Sequence, residues 1–230
     1  MSCNVPAILA TTRPGQKISD VMPTDLEMVV FKKSVGHSSK DVHVLRRNKD
    51  SQSYECFLTK SLVNFTDLQS WIDSNECIVE QSLSTFQEII PMDFKCYLID
   101  GSVEYIAVIN RNSTKPFLSY FDAKSLEQIN FNDIFADIPR NWLQGFGPYT
   151  PELRNRIHLA KAEAERIARE TLNVRGLIVS LDMYVTPRGN EFQVWLGEIT
   201  PRPGALHSNW LKRDFVRKLF KTSDVGSNHR

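Results

Sequence analysis

Two apolar runs near the C-terminal end of the chain each contain one acidic residue. The runs at 177–185 and 192–199 flank the turn-forming segment T-P-R-G-N, which predicts a β-hairpin. Asp182 interrupts the first run and Glu198 the second. Because an uncompensated buried carboxylate is costly, the two acids either face solvent at the edge of the hairpin or share a hard cation such as Mg²⁺. Thr200, two residues after Glu198, would lie on the same face of the strand.

The second run ends in T-P-R-P-G, and its two prolines predict that the strand stops there. Arg202 would then lie on a stiff loop beside the two acids. A planar guanidinium in that place can bind a carboxylate or a phosphate.

The rest of the chain alternates between strand-like and helix-like patterns. Apolar or alternating runs predict six further strands, at 26–32, 42–46, 54–59, 77–83, 94–99 and 102–109. An Asp-Gly pair joins the last two strands in a tight hairpin.

Two helices are also indicated. Thr66 is placed to cap a short helix, and Thr150 caps a long one at 151–172, where apolar residues recur at helical spacing. Residues 11–25 and 116–150 are predicted to be irregular, apart from a short helix near 131–136. Mostly antiparallel strands with interspersed helices predict an α+β fold.

Composition narrows the classes of function. The 230 residues are 41% hydrophobic with a formal net charge of +1. This composition suits one large domain or two small ones and gives no reason to expect nucleic acid or a membrane as a partner. No run approaches the ~18 apolar residues of a membrane-spanning helix, and no signal peptide is indicated. Four scattered cysteines favour free thiols over disulfides, so we expect a reducing, cytoplasmic location.

A strand, a polar loop and a second strand follow one another at 29–45. Lys32 lies at the end of the first strand, and Ser38 and Ser39 lie in the loop S-V-G-H-S-S-K. Backbone N–H groups and both hydroxyls could surround phosphate oxygens, with Lys32 as the point charge. The segment is not a Walker A motif, because no G-K-[ST] sequence opens a helix. A solvated hairpin loop is the alternative interpretation.

Two further stretches combine charges with strand patterns. In C-I-V-E-Q-S-L, Glu80 lies in a short apolar strand whose end could meet a purine edge, and Glu88 could accept hydrogen bonds from ribose hydroxyls. Asp93 and Lys95 share one face of the next strand, and Arg111 ends its partner, so these charges could bind a charged ligand. An ordinary strand end and a surface ion-pair cluster are the alternatives.

Other common chemistries lack their sequence motifs. The five histidines have no zinc-like spacing, and neither a Gly-x-Ser-x-Gly elbow nor a Cys–His nucleophile pair is indicated. The candidate chemistry therefore rests on carboxylates and cations.

Taken in order, these motifs resemble the ATP-grasp superfamily. The resemblance covers roughly residues 26–210. Its elements are the strand V-V-F-K, the loop G-H-S-S-K, the strand I-V-E-Q-S-L, the hairpin D-F-K-C-Y-L-I-D-G-S-V, the long helix, and the element E-I-T-P-R-P-G. The last element is most similar to that of carboxylate–amine ligases, including ATP-grasp proteins linked to modification of cell-surface polysaccharides.

The resemblance implies two α+β subdomains with mainly antiparallel sheets that hold ATP. Residues 1–83 would carry the phosphate loop, residues 84–221 the metal and substrate sites, and residues 222–230 a flexible tail. Family members usually begin with a separate substrate-binding domain, whereas this chain starts almost at the grasp itself. We therefore expect a minimal substrate side, or a partner chain or second copy that supplies it.

The resemblance also implies a reaction, in which ATP phosphorylates a carboxylate and an amine attacks the acyl phosphate. Asp182, Glu198 and Thr200 would bind Mg²⁺, and Arg111 and Arg202 would stabilise the acyl phosphate and orient the acid. The residues that would bind ATP are Lys32, Ser38, Ser39, Glu80, Gln81, Leu83, Glu88 and Lys95.

Two positions depart from the family pattern. Thr200 stands where the second-strand metal ligand is usually Asn, and Ser180 stands where many members have an Arg for the acyl phosphate. These departures keep two alternatives open, an ATP-grasp phosphotransferase and a non-catalytic nucleotide-binding module.

Overall fold

The computed structural model describes residues 3–34, 41–48, 53–86, 88–112, 116–134, 149–172 and 178–201. They form two compact units. The N-terminal unit is residues 6–90, and the C-terminal unit comprises residues 3–5 and those from 91 onward. Each unit contains an antiparallel sheet and helices, which confirms the predicted α+β fold with mainly antiparallel sheets.

A six-stranded sheet forms the frame of the N-terminal unit. Its strands are β1 (Ile8–Thr11), β2 (Met28–Lys33), β3 (Val42–Arg47), β4 (Ser53–Cys56), β5 (Ser61–Asn64) and β6 (Cys77–Gln81). The order across the sheet is β1-β6-β2-β3-β4-β5, and all neighbours are antiparallel. Helix α1 (Phe65–Ser74) packs on one face, where Leu68 and Ile72 join Phe31 and Leu45 in a buried core.

The segment predicted as a single strand at 54–59 differs in the structure. The strand ends at Cys56, and a turn leads into β5. In this turn Lys60 has a φ of 55°. This is the left-handed backbone conformation that residues other than Gly and Asn rarely adopt.

Helix α1 is capped by Asn64, so the prediction of Thr66 as the cap is wrong. The side chain of Asn64 accepts a hydrogen bond from the N–H of Asp67 at 2.8 Å, and the Asp67 carboxylate accepts one from the N–H of Asn64 at 3.1 Å. This reciprocal capping box satisfies two backbone donors. The second bond explains why the helix begins two residues earlier than Thr66 would place it.

Replacing Asn64 by Ala is expected to lower the unfolding free energy of the N-terminal unit by about 1 kcal/mol, because the first turn loses its cap. Urea denaturation followed by helical circular dichroism measures this change. Asn64→Ser keeps an acceptor at the cap and should retain most of the stability. Equal losses in both variants would contradict a stabilising role for the cap.

The C-terminal unit contains a second six-stranded sheet. Its strands are β7 (Asp93–Ile99), β8 (Ser102–Asn110), β9 (Phe117–Asp122), β10 (Gln128–Ile129), β11 (Ile178–Arg188) and β12 (Glu191–Pro201). The order is β10-β9-β8-β7-β11-β12, again antiparallel throughout. The helices are α2 (Phe131–Ile134) and α3 (Pro151–Glu170).

Strands β9 and β10 lie in the stretch predicted to be irregular, so that prediction is wrong for residues 117–122 and 128–129. Residues 117–121 are all buried. A strand that is buried on both faces has no alternation of apolar and polar residues, which is the signal that identifies strands in a sequence.

Helix α3 begins as predicted, with Thr150 Oγ1 accepting a hydrogen bond from the N–H of Leu153 at 3.1 Å. The helix covers one face of the C-terminal sheet. Its buried residues pack with strand residues that include Phe94, Leu98 and Leu181. The alternate strand residues therefore point to the opposite face, which carries the candidate site described below.

All four cysteines are free thiols, and three of them are buried. Within the described ranges, no helix has both the length and the apolar character needed to cross a membrane.

Candidate functional site

Opposite α3, the C-terminal sheet carries a line of charged side chains. Strand pairing places Lys95 of β7 beside Asp182 of β11, and Asp182 beside Glu198 of β12. Residues directly opposite one another in antiparallel strands share a face, so these three residues form one line across the sheet, here called the charged row. Lys95 Nζ donates a hydrogen bond to Asp182 Oδ2.

A β-bulge at Gly197 puts Glu198 on this face. Asp182 pairs with Glu198, but the next residue, Met183, pairs with Leu196, so Gly197 is skipped. Leu196 packs against the core under α3. In an unbroken strand Glu198 would point to the same side as Leu196, and the extra residue reverses this alternation. The bulge is therefore what brings the second acid to the first.

Burial dominates the electrostatics of Asp182. Loss of solvation, followed by repulsion from Asp93, raises the pKa of Asp182 to about 7 against the lowering effect of Lys95. A carboxyl group of this kind holds a proton easily near neutral pH. An added cation beside Asp182 would instead favour the charged carboxylate.

Asp93 is a second buried acid on this face, two residues before Lys95. Burial raises the pKa of Asp93, while the charges of Lys95 and Arg111 oppose the increase. Arg111 Nη1 lies 3.9 Å from Asp93 Oδ2. Burial alone would lower the pKa of Lys95, but the charges of Asp182 and Asp93 outweigh it and raise the pKa. Lys95 is therefore held as an ammonium between two acids.

Three buried oxygen atoms on this face lack a hydrogen-bond partner among the described residues: Asp93 Oδ1, Asp182 Oδ1 and Ser180 Oγ. Since buried polar atoms are nearly always satisfied, such atoms mark a place that can accept a cation or a ligand. Carboxylate and hydroxyl oxygens are the hard donors that Mg²⁺ prefers. The residues present therefore fit a magnesium ion.

The protein would supply only part of the coordination of that ion. No group of three or more His, Cys, Asp or Glu in the described part of the chain is arranged to hold a metal. Thr200 lies on the same face, and its hydroxyl donates to Glu198 Oε1 at 3.4 Å. Two carboxylates with a hydroxyl match the sparse protein coordination typical of Mg²⁺ sites, in which phosphate and water supply the remaining ligands.

In the N-terminal unit, two of the predicted ATP-binding residues pair with each other. Lys32 Nζ lies 2.7 Å from Glu80 Oε1. The two residues belong to the adjacent strands β2 and β6, where Val30 faces Glu80 and Lys32 faces Ile78. A phosphate group at this position would compete with the Glu80 carboxylate for Lys32.

The segment predicted to meet adenine is partly engaged by the residue just before β1. The N–H of Gln81 donates to Ala7 O at 2.8 Å, and Leu83 is half-buried. Further along, the N–H of Glu88 donates to Thr85 Oγ1 at 3.0 Å, and the Glu88 carbonyl accepts from the N–H of Thr85 at 2.8 Å. These bonds fix the backbone of Glu88 against Thr85.

Three of the predicted site residues lie outside the described residues. They are Ser38, Ser39 and Arg202.

The structure also shows a Cys–His contact that the sequence does not indicate. Cys56 Sγ lies 3.6 Å from His43 Nδ1. Burial raises the pKa of the Cys56 thiol, but hydrogen bonds with His43 and Thr59 outweigh it and lower the pKa to about 6. Cys56 is fully buried, so a substrate cannot reach the sulfur without a rearrangement of the sheet. The pair therefore belongs to the core of the N-terminal unit.

No protein-family model and no curated protein matches the chain. Among solved structures, the chain is similar to ATP-grasp ligases. The similar structures are those of the ATP-grasp ligase PsnB. One holds a phosphomimetic variant of a minimal precursor, Mg and ADP (11% identity, TM-score 0.39), and another holds a minimal precursor (12% identity, TM-score 0.38). Each alignment covers 85% of this chain, which spans only 45% and 47% of the length of those structures.

Proposed function

We propose that the chain is a Mg²⁺- and ATP-dependent ligase that converts a carboxylate into an acyl phosphate and joins it to an amine. The observation that carries this proposal is the charged row, in which Asp182 and Glu198 face each other beside a positively charged Lys95. Phosphoryl transfer needs oxygen ligands for a divalent ion and fixed cations for the phosphate oxygens. The charged row offers both on one face of a rigid sheet.

In this proposal Asp182, Glu198 and Thr200 hold Mg²⁺. When bound, the ion neutralises charge on the phosphate oxygens. Lys95 now donates to Asp182, and a metal bound at that carboxylate would leave the ammonium free to bind a phosphate. Arg111, beside Asp93, is assigned to the acyl phosphate because it adds a second fixed cation.

The remaining assignments follow the sequence motifs. Arg202 would orient the acid substrate. Lys32, Ser38 and Ser39 would bind phosphate, and Glu88 would bind ribose. The residues assigned to adenine are Glu80, Gln81 and Leu83. Lys32 can bind phosphate only if its ion pair with Glu80 breaks. Gln81 can offer adenine only its carbonyl and its side chain, because its N–H donates to Ala7 O.

A non-catalytic nucleotide-binding module is the second candidate. The observation that favours it is the ion pair between Lys95 and Asp182. The ammonium of Lys95 neutralises the carboxylate, so an internal cation can take the place of a metal ion. A phosphotransferase is the third. It is favoured by the hydroxyl of Ser180, which has no hydrogen-bond partner among the described residues, at the position where a ligase usually has an arginine.

An ADP-release assay separates these candidates. The ligase should form ADP from Mg²⁺-ATP only when an acid and an amine are both present. A phosphotransferase would form ADP with a hydroxyl acceptor and no amine. A binding module would bind ATP in calorimetry and form no ADP with any pair of substrates.

Glu198→Gln is expected to reduce ADP formation at least about tenfold, because the amide binds Mg²⁺ more weakly than the carboxylate. The loss should be partly recovered at higher Mg²⁺ concentration. Glu191→Gln on the same strand is the matched control, since Glu191 is exposed and lies at the other end of β12. Full activity in Glu198→Gln would remove Glu198 from the proposed metal site.

A further inference from the structure

We propose that Asn4 is a positioning residue for Glu198. Asn4 holds the outer edge of β12 directly before the Gly197 bulge, and it thereby keeps the second acid of the charged row beside Asp182. This inference rests on the proposed function, because it gives Asn4 a role in the metal site of the ligase. Asn4 acts through the strand and does not itself belong to the charged row.

The strand that carries Glu198 is held by the sheet on one side only. In the order β10-β9-β8-β7-β11-β12, strand β12 comes last, and its partner in the sheet is β11. An edge strand leaves a row of backbone N–H and C=O groups unpaired, and a bulge also breaks the ladder on the paired side. Glu198 directly follows the skipped Gly197, so it lies where β12 is held least by the sheet.

Asn4 supports this part of the strand from the outer side. The N–H of Leu196 donates to Asn4 O at 2.8 Å, and Asn4 Nδ2 donates to Val194 O at 3.1 Å. Leu196 is the last residue before Gly197, and Val194 lies two residues earlier, so both backbone groups point to the same edge of β12. One donor and one acceptor of Asn4 therefore take the place of the contacts that a further strand would make there.

The neighbouring residue Cys3 anchors Asn4. The side chain of Cys3 packs against the core under α3, as do Val194 and Leu196. Burial and the nearby charge of Glu163 raise the pKa of the Cys3 thiol, so the thiol stays uncharged near neutral pH and suits an apolar contact. Asn4 is thus fixed relative to the two strand residues that it binds.

The position of the bulge decides which face of the sheet Glu198 reaches. With Gly197 skipped, Asp182 pairs with Glu198, and both acids lie on the face of the charged row. If Gly197 lay opposite Asp182, the acid after it would face Leu181 and point into the core under α3. Asn4 binds the two residues that flank Trp195 just before the bulge, and so it opposes both this shift and fraying of the edge.

Loss of the Asn4 side chain would spread the Glu198 carboxylate over more positions. Metal ligands have to be held within about 0.5 Å of their productive geometry. One hydrogen bond changes such an equilibrium by about fivefold. Asn4 is exposed, so its substitution should weaken the site for the ion and leave the core intact.

The test is an NMR titration of the full chain with Mg²⁺ alone, which requires neither substrate nor turnover. The titration follows the backbone amides of Gly197 and Glu198. In Asn4→Ala the half-saturating Mg²⁺ concentration should rise about fivefold above that of the wild type. Asn4→Gln keeps an amide donor and should recover most of the affinity. Val5→Ala is the matched control, because Val5 is 56% exposed and adjacent to Asn4, and it should bind Mg²⁺ as the wild type does.

Hydrogen exchange at the Leu196 amide tests the route by which Asn4 acts. Exchange should be about fivefold faster in Asn4→Ala and unchanged in Val5→Ala. Faster exchange with unchanged Mg²⁺ binding would overturn the inference, because Asn4 would then support the strand alone. Weaker Mg²⁺ binding with unchanged exchange would also overturn it, because the effect would not pass through β12.

The same titration separates this inference from the proposed function. Absence of saturable shifts in the wild type would overturn the role of Asn4 together with the metal site. A chain that binds Mg²⁺ at Glu198, shows the expected loss in Asn4→Ala and forms no ADP would support the role of Asn4 and contradict the ligase alone.

Discussion

Asp182→Asn is expected to lower the rate of ADP formation by about a thousandfold, the largest loss of any substitution considered for this chain. The amide keeps the size of the side chain but removes the negative charge that would attract Mg²⁺. It also removes the ion-pair partner that holds Lys95 in position. The measurement is ADP release at saturating ATP and Mg²⁺. A rate within a few-fold of the wild type would exclude a metal role for Asp182.

The same variant should keep its fold, and its stability should depend less on pH. Burial and the charge of Asp93 raise the pKa of Asp182 from the ordinary value of 3.8 to about 7. Between these two pH values the folded chain binds a proton that the unfolded chain has lost, so the unfolding free energy of the wild type falls as the pH rises through this window. Asn does not titrate and should flatten this part of the curve.

Urea denaturation at several pH values between 4 and 8 measures this difference. Glu191→Gln serves as the control, since it removes an exposed acid from β12 and should follow the wild-type curve. If Asp182→Asn has the same slope as the wild type, the carboxyl group is more solvated than its burial indicates. Loss of activity together with an intact, flatter stability curve would separate a chemical role from a structural one.

Local patterns in the sequence were sufficient to predict the hairpin that carries the two acids and the helix before it. The acid-bearing hairpin follows from two apolar runs around a Pro/Gly/Asn turn, and Thr150 and Pro151 mark the start of α3. These features depend on residues that are neighbours in the chain. The strand β9 has no such local signal, because it is buried on both faces.

Contacts between distant strands could not be predicted in this way. Lys32 meets Glu80 because β6 returns to lie between β1 and β2, and Cys56 meets His43 only through the pairing of β3 with β4. Such pairings are set by the order of strands in the sheet rather than by any spacing in the sequence. The ion pair at Lys32 is therefore a feature of the fold that the motif V-V-F-K does not reveal.

The prediction that the two acids lie on one face of the sheet depends on a single residue. Simple alternation along β12 puts Glu198 on the same side as Leu196, which packs against the core. The acids meet only because Gly197 forms a bulge. A glycine inside a strand pattern is the sequence signal for a bulge, and Gly197 lies directly before the acid.

Gly197→Ala is accordingly expected to cost about 2 kcal/mol of unfolding free energy and to lower ADP formation about a hundredfold. A Cβ at this position would overlap with Cε2 of the Tyr184 ring and lie 3.2 Å from the carbonyl oxygen of Asp182. The ring can shift, but the Asp182 carbonyl belongs to the backbone of β11. The strain therefore falls on the strand that positions the first acid of the charged row.

The double variant Gly197→Ala with Tyr184→Ala distinguishes the two sources of strain. Removal of the ring relieves the larger overlap and leaves the contact with the Asp182 carbonyl. If the ring carries the cost, the two substitutions should couple strongly, and the double variant should be more stable than the sum of the single losses predicts. Stability would then recover while activity stays low, because the displaced backbone still moves Asp182 away from Glu198. Recovery of both stability and activity would show that the strain lies in the Tyr184 ring alone. Recovery of neither would show that it lies in the geometry of the bulge.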